Sequence, residues 1–189
     1  MSNSKAAFLD RDGTIIKDVI YLNDPNRIET YKESYEAIKL LNENGFKVIL
    51  ATNQSGVARG IVDENILKKI NSMIVEDFKK NGAIIHDVYY CPHPVDGGCI
   101  CRKPNAGMLQ QAGQKYDIDM KLSWMVGDRM SDVEAGLRAG CQSILLQNET
   151  TPPIDTSYAA PKYIASNVLE AAKLMIQKFK EHQQQMKYR

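Results

Sequence analysis

The sequence of 189 residues contains no apolar run long enough to span a membrane and no N-terminal apolar stretch of the secretory type. It also carries almost no net charge, +1 at neutral pH. A chain without an excess of positive charge has no overall field that would attract nucleic acid or an anionic membrane surface. We therefore expect a cytoplasmic protein with no nucleic-acid partner and no membrane partner.

Cysteine is scarce, and its distribution is uneven. Three of the four cysteines lie within eleven residues of one another, next to a histidine. Because no export signal is seen, this clustering favours a metal site over disulfide bonds. The fourth, Cys141, begins a predicted strand and is expected in the core.

Predicted strands alternate with predicted helices along the whole chain. Short apolar runs that end at turn residues predict buried strands, and apolar residues at three- and four-residue spacing predict helices. Strands are expected at residues 6–9, 46–51, 83–90, 122–126 and 141–146, and helices at 33–44, 63–82, 106–116, 131–139 and 167–180. Ser131 is the expected N-cap of the fourth helix, with Glu134 completing a capping box. The pattern predicts an α/β protein with a doubly wound, mostly parallel, Rossmann-like sheet, in one domain over residues 1–189.

Polar side chains follow several of these strands, at the point where each strand ends. Asp10 and Asp12 follow the first strand, Thr52 and Asn53 the second, and Asp128 and Asp132 the fourth, with Arg102 and Lys103 in between. The carboxyl ends of parallel strands share one edge, where ligands bind in open α/β sheets. Carboxylates, a hydroxyl and a lysine are the groups that phosphoryl transfer requires, together with Mg²⁺ held by oxygen ligands.

These residues match the motifs of a known family. The sequence resembles the haloacid dehalogenase-like phosphatases: DRDGT is their first motif, Thr52 their second, Lys103 their third and GDxxxD, at residues 127–132, their fourth. All four motifs occur in the family's order. The resemblance implies a metal-dependent phosphatase that works through an aspartyl-phosphate intermediate.

The resemblance also implies a role for each motif residue. Asp10 is expected to be the nucleophile, and Asp12 the general acid that later activates water. Mg²⁺ is expected on the Asp10 carboxylate, the Asp12 main-chain carbonyl and Asp128, while Asp132 orients a water or Lys103 from outside the coordination shell. Thr52 and Lys103 are expected to hold the phosphoryl oxygens.

The cysteine cluster has the spacing C-x-H-x₅-C-x-C, formed by Cys91, His93, Cys99 and Cys101. Three thiolates and one imidazole suit a closed, tetrahedral Zn²⁺ site with a structural role. The loop is rich in proline and glycine and has little core of its own, so metal binding can supply its folding energy. Arg102 and Lys103 follow the last ligand directly, so the zinc is expected to fix both cations.

The zinc loop and the CRKP segment after it resemble a subfamily, the D-glycero-D-manno-heptose 1,7-bisphosphate phosphatases and the related histidinol-phosphate phosphatases. The resemblance implies a small-molecule sugar bisphosphate as substrate, dephosphorylated at its 7-position during synthesis of nucleotide-activated heptose. It also implies a set of substrate-binding residues: Asp18, Tyr21, Thr52, Asn53, Gln54, Ser55, Arg102, Lys103 and Arg129.

Spacing and composition bear on access and on the alternatives. The stretches from Ile15 to Thr52 and from Thr52 to Lys103 are filled by predicted helices, a strand and the zinc loop, which leaves no room for a separate cap domain. A histidinol-phosphate phosphatase stays open as an alternative, as do a polynucleotide 3′-phosphatase and a non-catalytic zinc-bearing interaction module. We expect a monomer, because no apolar stripe is left uncommitted.

Overall fold

The computed structural model describes residues 4–148 and 151–187. Its centre is a six-stranded sheet in which every pair of neighbouring strands is parallel, in the order β3-β2-β1-β4-β5-β6. The strands are β1 (Lys5–Leu9), β2 (Phe46–Asn53), β3 (Asp87–Cys91), β4 (Trp124–Gly127), β5 (Gln142–Leu146) and β6 (Ile164–Ala165). The helices are α1 (Lys32–Glu43), α2 (Glu64–Lys80), α3 (Gly107–Tyr116), α4 (Met130–Ala139) and α5 (Val168–Lys187). The predicted doubly wound parallel sheet is confirmed.

Strand β1 lies in the middle of the sheet, between β2 and β4. Leu9, its last residue, is in register with Leu50 of β2 and with Val126 of β4. The chain order reverses at this point, since the sheet grows from β1 to β2 and β3 on one side and from β4 to β6 on the other. A reversal of this kind opens a crevice at the carboxyl ends of the central strands.

Helices cover both faces of the sheet, so successive residues of a strand are buried on opposite sides. In β1, Ala7 and Leu9 pack into the core shared with α1, α2 and α5, and Ala6 and Phe8 pack into the core shared with α3. All four are fully buried. Burial on both faces explains why the strands are continuous apolar runs rather than alternating ones.

The connections around β2 contain no large insertion. Residues 10–45 hold a short 3-10 helix (Pro25–Arg27) and α1, and residues 54–86 hold α2. Within residues 4–148 and 151–187, none of the helices is both long and apolar enough to cross a bilayer. That the whole chain forms one domain stays a prediction.

Several boundaries differ from those expected. The third strand begins at Asp87 rather than residue 83, and His86 instead accepts the Val48 N–H on its own Nδ1 at 3.1 Å. The last helix extends to Lys187 instead of ending at residue 180, and the two-residue β6 was not predicted.

The predicted capping box of the fourth helix was wrong by two residues. α4 begins at Met130, and the Arg129 main-chain N–H donates to Asp132 Oδ2 at 3.0 Å. Glu134 pairs with Arg138 at 2.8 Å instead of reaching back to the helix start. The cap is therefore supplied by an acidic residue that also belongs to the candidate site.

Ser123 connects the edge of β1 to the segment before β4, and it provides a test of this part of the fold. Its hydroxyl accepts the Ala6 N–H at 2.9 Å and donates to the Asp119 carbonyl at 2.7 Å, in a fully buried position. We expect Ser123→Ala to lower the free energy of unfolding by about 1–3 kcal/mol, because buried polar groups lose their partner. Urea denaturation measures the change.

The exposed Ser72 on α2 supplies the matched control. Ser72→Ala should shift the free energy of unfolding by less than about 0.5 kcal/mol. Equal effects of the two substitutions would show that the Ser123 bridge contributes nothing of its own.

Candidate active site

The predicted site residues meet in the crevice at the carboxyl ends of β1, β2 and β4. Asp10 follows β1 directly, and its main-chain N–H donates to the Val126 carbonyl of β4 at 2.9 Å. Asp128 follows β4, and Thr52 lies near the end of β2. A cavity of about 540 Å³ opens over these strand ends.

Three buried carboxylates and one ammonium group form the floor of the crevice. The carboxylates of Asp10, Asp128 and Asp132 have oxygens within 4.8 Å of one another. Lys103 Nζ lies 2.8 Å from Asp10 Oδ1, 2.5 Å from Asp132 Oδ1 and 2.6 Å from the Ala51 carbonyl oxygen. Burial by itself would lower the pKa of Lys103, but Asp10 and Asp132 outweigh it and raise that pKa. The lysine is therefore held charged between two acids.

Asp128 lacks a comparable partner. Its Oδ1 atom is buried without a hydrogen bond, and the nearest cation, Arg129 Nε, is 4.0 Å away. Burial, followed by the charges of Asp10 and Asp132, raises the pKa of Asp128 to about 7. The unpaired oxygen of Asp128 and the carboxylates of the two neighbouring acids together form a set of hard oxygen donors with surplus negative charge. Such a set fits Mg²⁺.

Gly13 lets the chain pass directly over the Asp128 carboxylate. Its φ is +75°, and a Cβ atom at this position would collide with Asp128 Oδ2. Only glycine meets both conditions, left-handed backbone and the absence of a side chain.

Asp12 has a different environment from Asp10. Arg11 pairs with its carboxylate at 2.9 Å, Gln54 Nε2 donates to it at 2.8 Å, and Thr52 Oγ1 lies 3.4 Å away. Burial raises the pKa of Asp12, although Arg11 opposes the change. A carboxyl group whose pKa is raised is suited to carry a proton to a leaving oxygen.

The expected substrate-binding residues all line the cavity, but their side chains are engaged differently. Arg129 Nη2 lies 3.2 Å from Asp18 Oδ2 at the exposed rim. Arg102 Nη1 is buried and has no hydrogen-bond partner. The Asn53 side chain makes two hydrogen bonds to the main chain of Lys103: Nδ2 donates to the carbonyl and Oδ1 accepts the N–H, each at 3.0 Å. The cavity-lining residues among those expected are Asp18, Tyr21, Thr52, Asn53, Gln54, Ser55, Arg102, Lys103 and Arg129.

The four predicted zinc ligands form one cluster. The Cys91, His93, Cys99 and Cys101 donor atoms all lie within 4.8 Å of one another, with Cys101 Sγ 3.2 Å from both Cys91 Sγ and His93 Nδ1. No disulfide links these cysteines. Three sulfur atoms and one ring nitrogen at this spacing fit a closed Zn²⁺ site.

The zinc cluster is tied to the crevice through the main chain. The Gln54 main-chain N–H donates to the Cys91 carbonyl at 2.8 Å, and the Asn105 side-chain Nδ2 donates to the Cys99 carbonyl at 2.8 Å. Lys103 is two residues past the last zinc ligand. A metal ion bound by the cluster would therefore fix the segment that places Lys103 between the acids.

Sequence reasoning missed other residues at the site. Tyr158, on a proline-rich loop, and Ile20 and Val95, on two rim loops, line the cavity. Arg11 is fully buried behind Asp12 and is bonded to Asn71 of α2. Of these residues, only Arg11 and Asn71 could have been singled out from the sequence, because each is a polar residue beside an otherwise apolar segment.

The chain is similar in sequence to proteins of one family. Residues 100–171 match the sequence model of the family described as HAD-hydrolase-like. The chain is 36% identical over 181 residues to the D-glycero-alpha-D-manno-heptose-1,7-bisphosphate 7-phosphatase of Photorhabdus laumondii, covering 90% of this chain and 96% of the relative. It is 41% identical over 145 residues to the D-glycero-beta-D-manno-heptose-1,7-bisphosphate 7-phosphatase of Pseudomonas aeruginosa, covering 74% of this chain and 79% of the relative.

The fold is also similar to a solved structure. The D,D-heptose 1,7-bisphosphate phosphatase from B. bronchiseptica, crystallised with magnesium and phosphate, superposes with a TM-score of 0.84 at 31% identity. The match covers 92% of this chain and 99% of that one.

The close approach of Gly13 to Asp128 predicts the effect of a single methyl group. Gly13→Ala should displace the Asp128 carboxylate and lower the kcat for phosphate release from p-nitrophenyl phosphate by about 100-fold, the usual effect of a displaced catalytic group. Gly60 is the matched control, because its φ is +67° and a Cβ there meets nothing within 4 Å. Gly60→Ala should lower stability by about 1 kcal/mol and leave kcat unchanged. Equal kcat losses in both variants would contradict the role of the close approach.

The zinc cluster predicts that metal content and activity change together. The wild type is expected to bind about one zinc ion per chain. Cys99→Ser should lower this zinc content, because the tetrahedral site loses a ligand, and should also lower kcat. Elemental analysis measures the zinc. Cys141→Ala is the control, since this buried cysteine lies outside the cluster. A Cys99→Ser protein that keeps its full zinc content would show that the four residues do not act as one site.

Proposed function

This chain belongs to the haloacid dehalogenase-like phosphatases, and we propose that it removes the 7-phosphate of D-glycero-D-manno-heptose 1,7-bisphosphate. The observation that carries the proposal is the match, over nine-tenths of this chain, to a relative named for that activity. The crevice supports it chemically, because it combines the acids of a phosphatase with two arginines beyond them.

In the proposed first step, Asp10 attacks the phosphorus atom of the 7-phosphate. A bond forms between its carboxylate oxygen and phosphorus, and the bond from phosphorus to the sugar oxygen breaks. Asp12 gives its proton to that sugar oxygen, so the leaving group departs as a neutral hydroxyl. Lys103 Nζ, 2.8 Å from Asp10 Oδ1, holds the nucleophile and places positive charge beside the transferring group.

In the second step, water hydrolyses the acyl phosphate. Asp12, now ionised, takes a proton from the water molecule, and the oxygen of that water forms a bond to phosphorus. The bond between phosphorus and the Asp10 oxygen breaks, which releases inorganic phosphate and restores the free carboxylate. Gln54 and Thr52, beside the Asp12 carboxylate, keep it at the site of both proton transfers.

The family uses Mg²⁺, and the acids of the crevice fit this ion. The Asp10 carboxylate, the Asp12 main-chain carbonyl and Asp128 would hold it. When bound, the ion neutralises the charge of the phosphate and of the nucleophile. Asp132 contributes differently, because its carboxylate contacts Lys103 on one oxygen and the Arg129 N–H on the other.

The size and charge of the cavity favour a polar substrate with a second phosphate. A cavity of about 540 Å³ is large enough for a phosphorylated sugar. Arg102 and Arg129 line it, and Arg102 Nη1 has no protein partner. A guanidinium group can bind a phosphate through two parallel hydrogen bonds. We assign the distal phosphate to these two arginines.

A substrate panel tests the proposal. With Mg²⁺ present, phosphate release should be fastest with one of the two anomers of D-glycero-D-manno-heptose 1,7-bisphosphate, and the kcat/KM values for histidinol phosphate, fructose 1,6-bisphosphate and a 3′-phosphorylated oligonucleotide should be lower. Asp10→Asn is the control for contaminating phosphatase and should release no phosphate while keeping its zinc. A flat profile, or a preference for histidinol phosphate, would overturn the proposed substrate.

A further inference from the structure

Arg11 is the largest fully buried side chain of the described residues, with 1% of its surface exposed. A buried guanidinium is costly unless its charge and its N–H groups are all matched. Arg11 lies within the DRDGT motif, but the proposed mechanism gives its side chain no role. The buried guanidinium therefore needs hydrogen-bond acceptors, and two residues provide them.

The first partner is Asp12, through a fork of parallel contacts. Arg11 Nε lies 3.2 Å from both carboxylate oxygens of Asp12, and Nη2 lies 3.1 and 2.9 Å from them. Planar two-point pairing fixes the direction of a carboxylate as well as its distance. Gln54 Nε2 donates to the same carboxylate at 2.8 Å. Asp12 is thus held from two directions.

The second partner is Asn71, which lies on the buried face of α2. Arg11 Nη1, the nitrogen outside the fork, donates to Asn71 Oδ1 at 2.7 Å. Leu67, Ile70 and Ile74 of the same helix are buried around it, and Asn71 itself is 6% exposed. An asparagine at such a position is unfavourable for both helix and core, unless its amide has a specific use.

We propose that Asn71 and Arg11 are positioning residues for the acid–base group: Asn71 anchors the guanidinium, and the guanidinium fixes the Asp12 carboxylate opposite Gln54. Asn71 is not among the residues that line the cavity, so it acts only through Arg11. The inference rests on the proposed function, because it takes Asp12 as the group that protonates the leaving oxygen.

The chemistry of the leaving group separates positioning from a general structural role. An alkyl phosphate releases an alkoxide-like oxygen that needs the proton of Asp12, whereas p-nitrophenyl phosphate releases a stable phenolate without it. The ratio kcat/KM reports the loss of transition-state stabilisation relative to free enzyme and substrate. A displaced Asp12 should therefore lower kcat/KM for the alkyl ester and leave the aryl ester nearly unaffected.

The test compares Asn71→Leu with the wild type on heptose 1,7-bisphosphate and on p-nitrophenyl phosphate. We expect kcat/KM for the alkyl ester to fall about tenfold or more, within the range of general acid catalysis, and that for the aryl ester to fall by less than about threefold. Asn71→Asp keeps an acceptor oxygen for Arg11 Nη1, so its kcat/KM for the alkyl ester should stay near the wild-type value. An equal loss with both esters, or no rescue by Asn71→Asp, would overturn the proposal.

Ile74→Val is the matched structural control, because it opens a small gap on the same buried face of α2 without touching Arg11. It should leave the ratio of the two kcat/KM values unchanged. A shift as large as that of Asn71→Leu would show that loosening of α2 explains the effect and would contradict the positioning role.

An error in the proposed substrate would give a different experimental result from an error in the positioning role. A wild-type protein that hydrolyses fructose 1,6-bisphosphate or glycerol 3-phosphate, but not the heptose bisphosphate, contradicts the substrate assignment alone. The Asn71 comparison is then made with the alkyl ester that is hydrolysed, and its outcome supports or overturns the positioning role as before.

Discussion

The ammonium group of Lys103 is the contact on which the active-site crevice depends. It joins Asp10 after β1, the Ala51 carbonyl of β2 and Asp132 of α4, and thereby connects three separate elements at one buried point. A buried ammonium is unfavourable by itself, but two carboxylates reverse the balance and raise the pKa of Lys103. The lysine arrives on the loop that carries the zinc cluster, and Asn53 holds its main chain. The metal-binding loop and the acid cluster thus form one connected arrangement.

The two acids of the first motif differ because their cations differ. Asp10 shares Lys103 with Asp132, and it lies beside Asp128, whose Oδ1 has no hydrogen-bond partner. Asp12 has Arg11 as a separate partner and lies against Gln54. Two carboxyl groups in unlike environments can take unlike roles, as nucleophile and as proton carrier. The surplus charge near Asp10 is what a divalent cation would neutralise, whereas Asp12 has a cation of its own.

Much of the fold followed from local patterns. Apolar runs such as that at residues 46–51 predicted strands, and their alternation with helices predicted the parallel sheet, which was confirmed. Two of the errors lie where a side-chain hydrogen bond replaced the expected main-chain pattern. His86 bonds to Val48 with its ring, so the third strand begins late. The Asp132 carboxylate caps α4, so the helix begins before the serine expected to cap it.

The sequence by itself determined which groups reach the crevice. Parallel strands end at one edge, so Asp10, Thr52 and Asp128 were predicted to meet from their order alone, and the Cys/His spacing predicted the metal cluster. Only the tertiary structure decided what surrounds each group. Arg11 and Asn71 are 60 residues apart, and they meet because β1 and α2 contribute to the same buried apolar core, an arrangement that no local periodicity encodes. Spacing determines which residues share an edge, but packing determines which side chains hold them there.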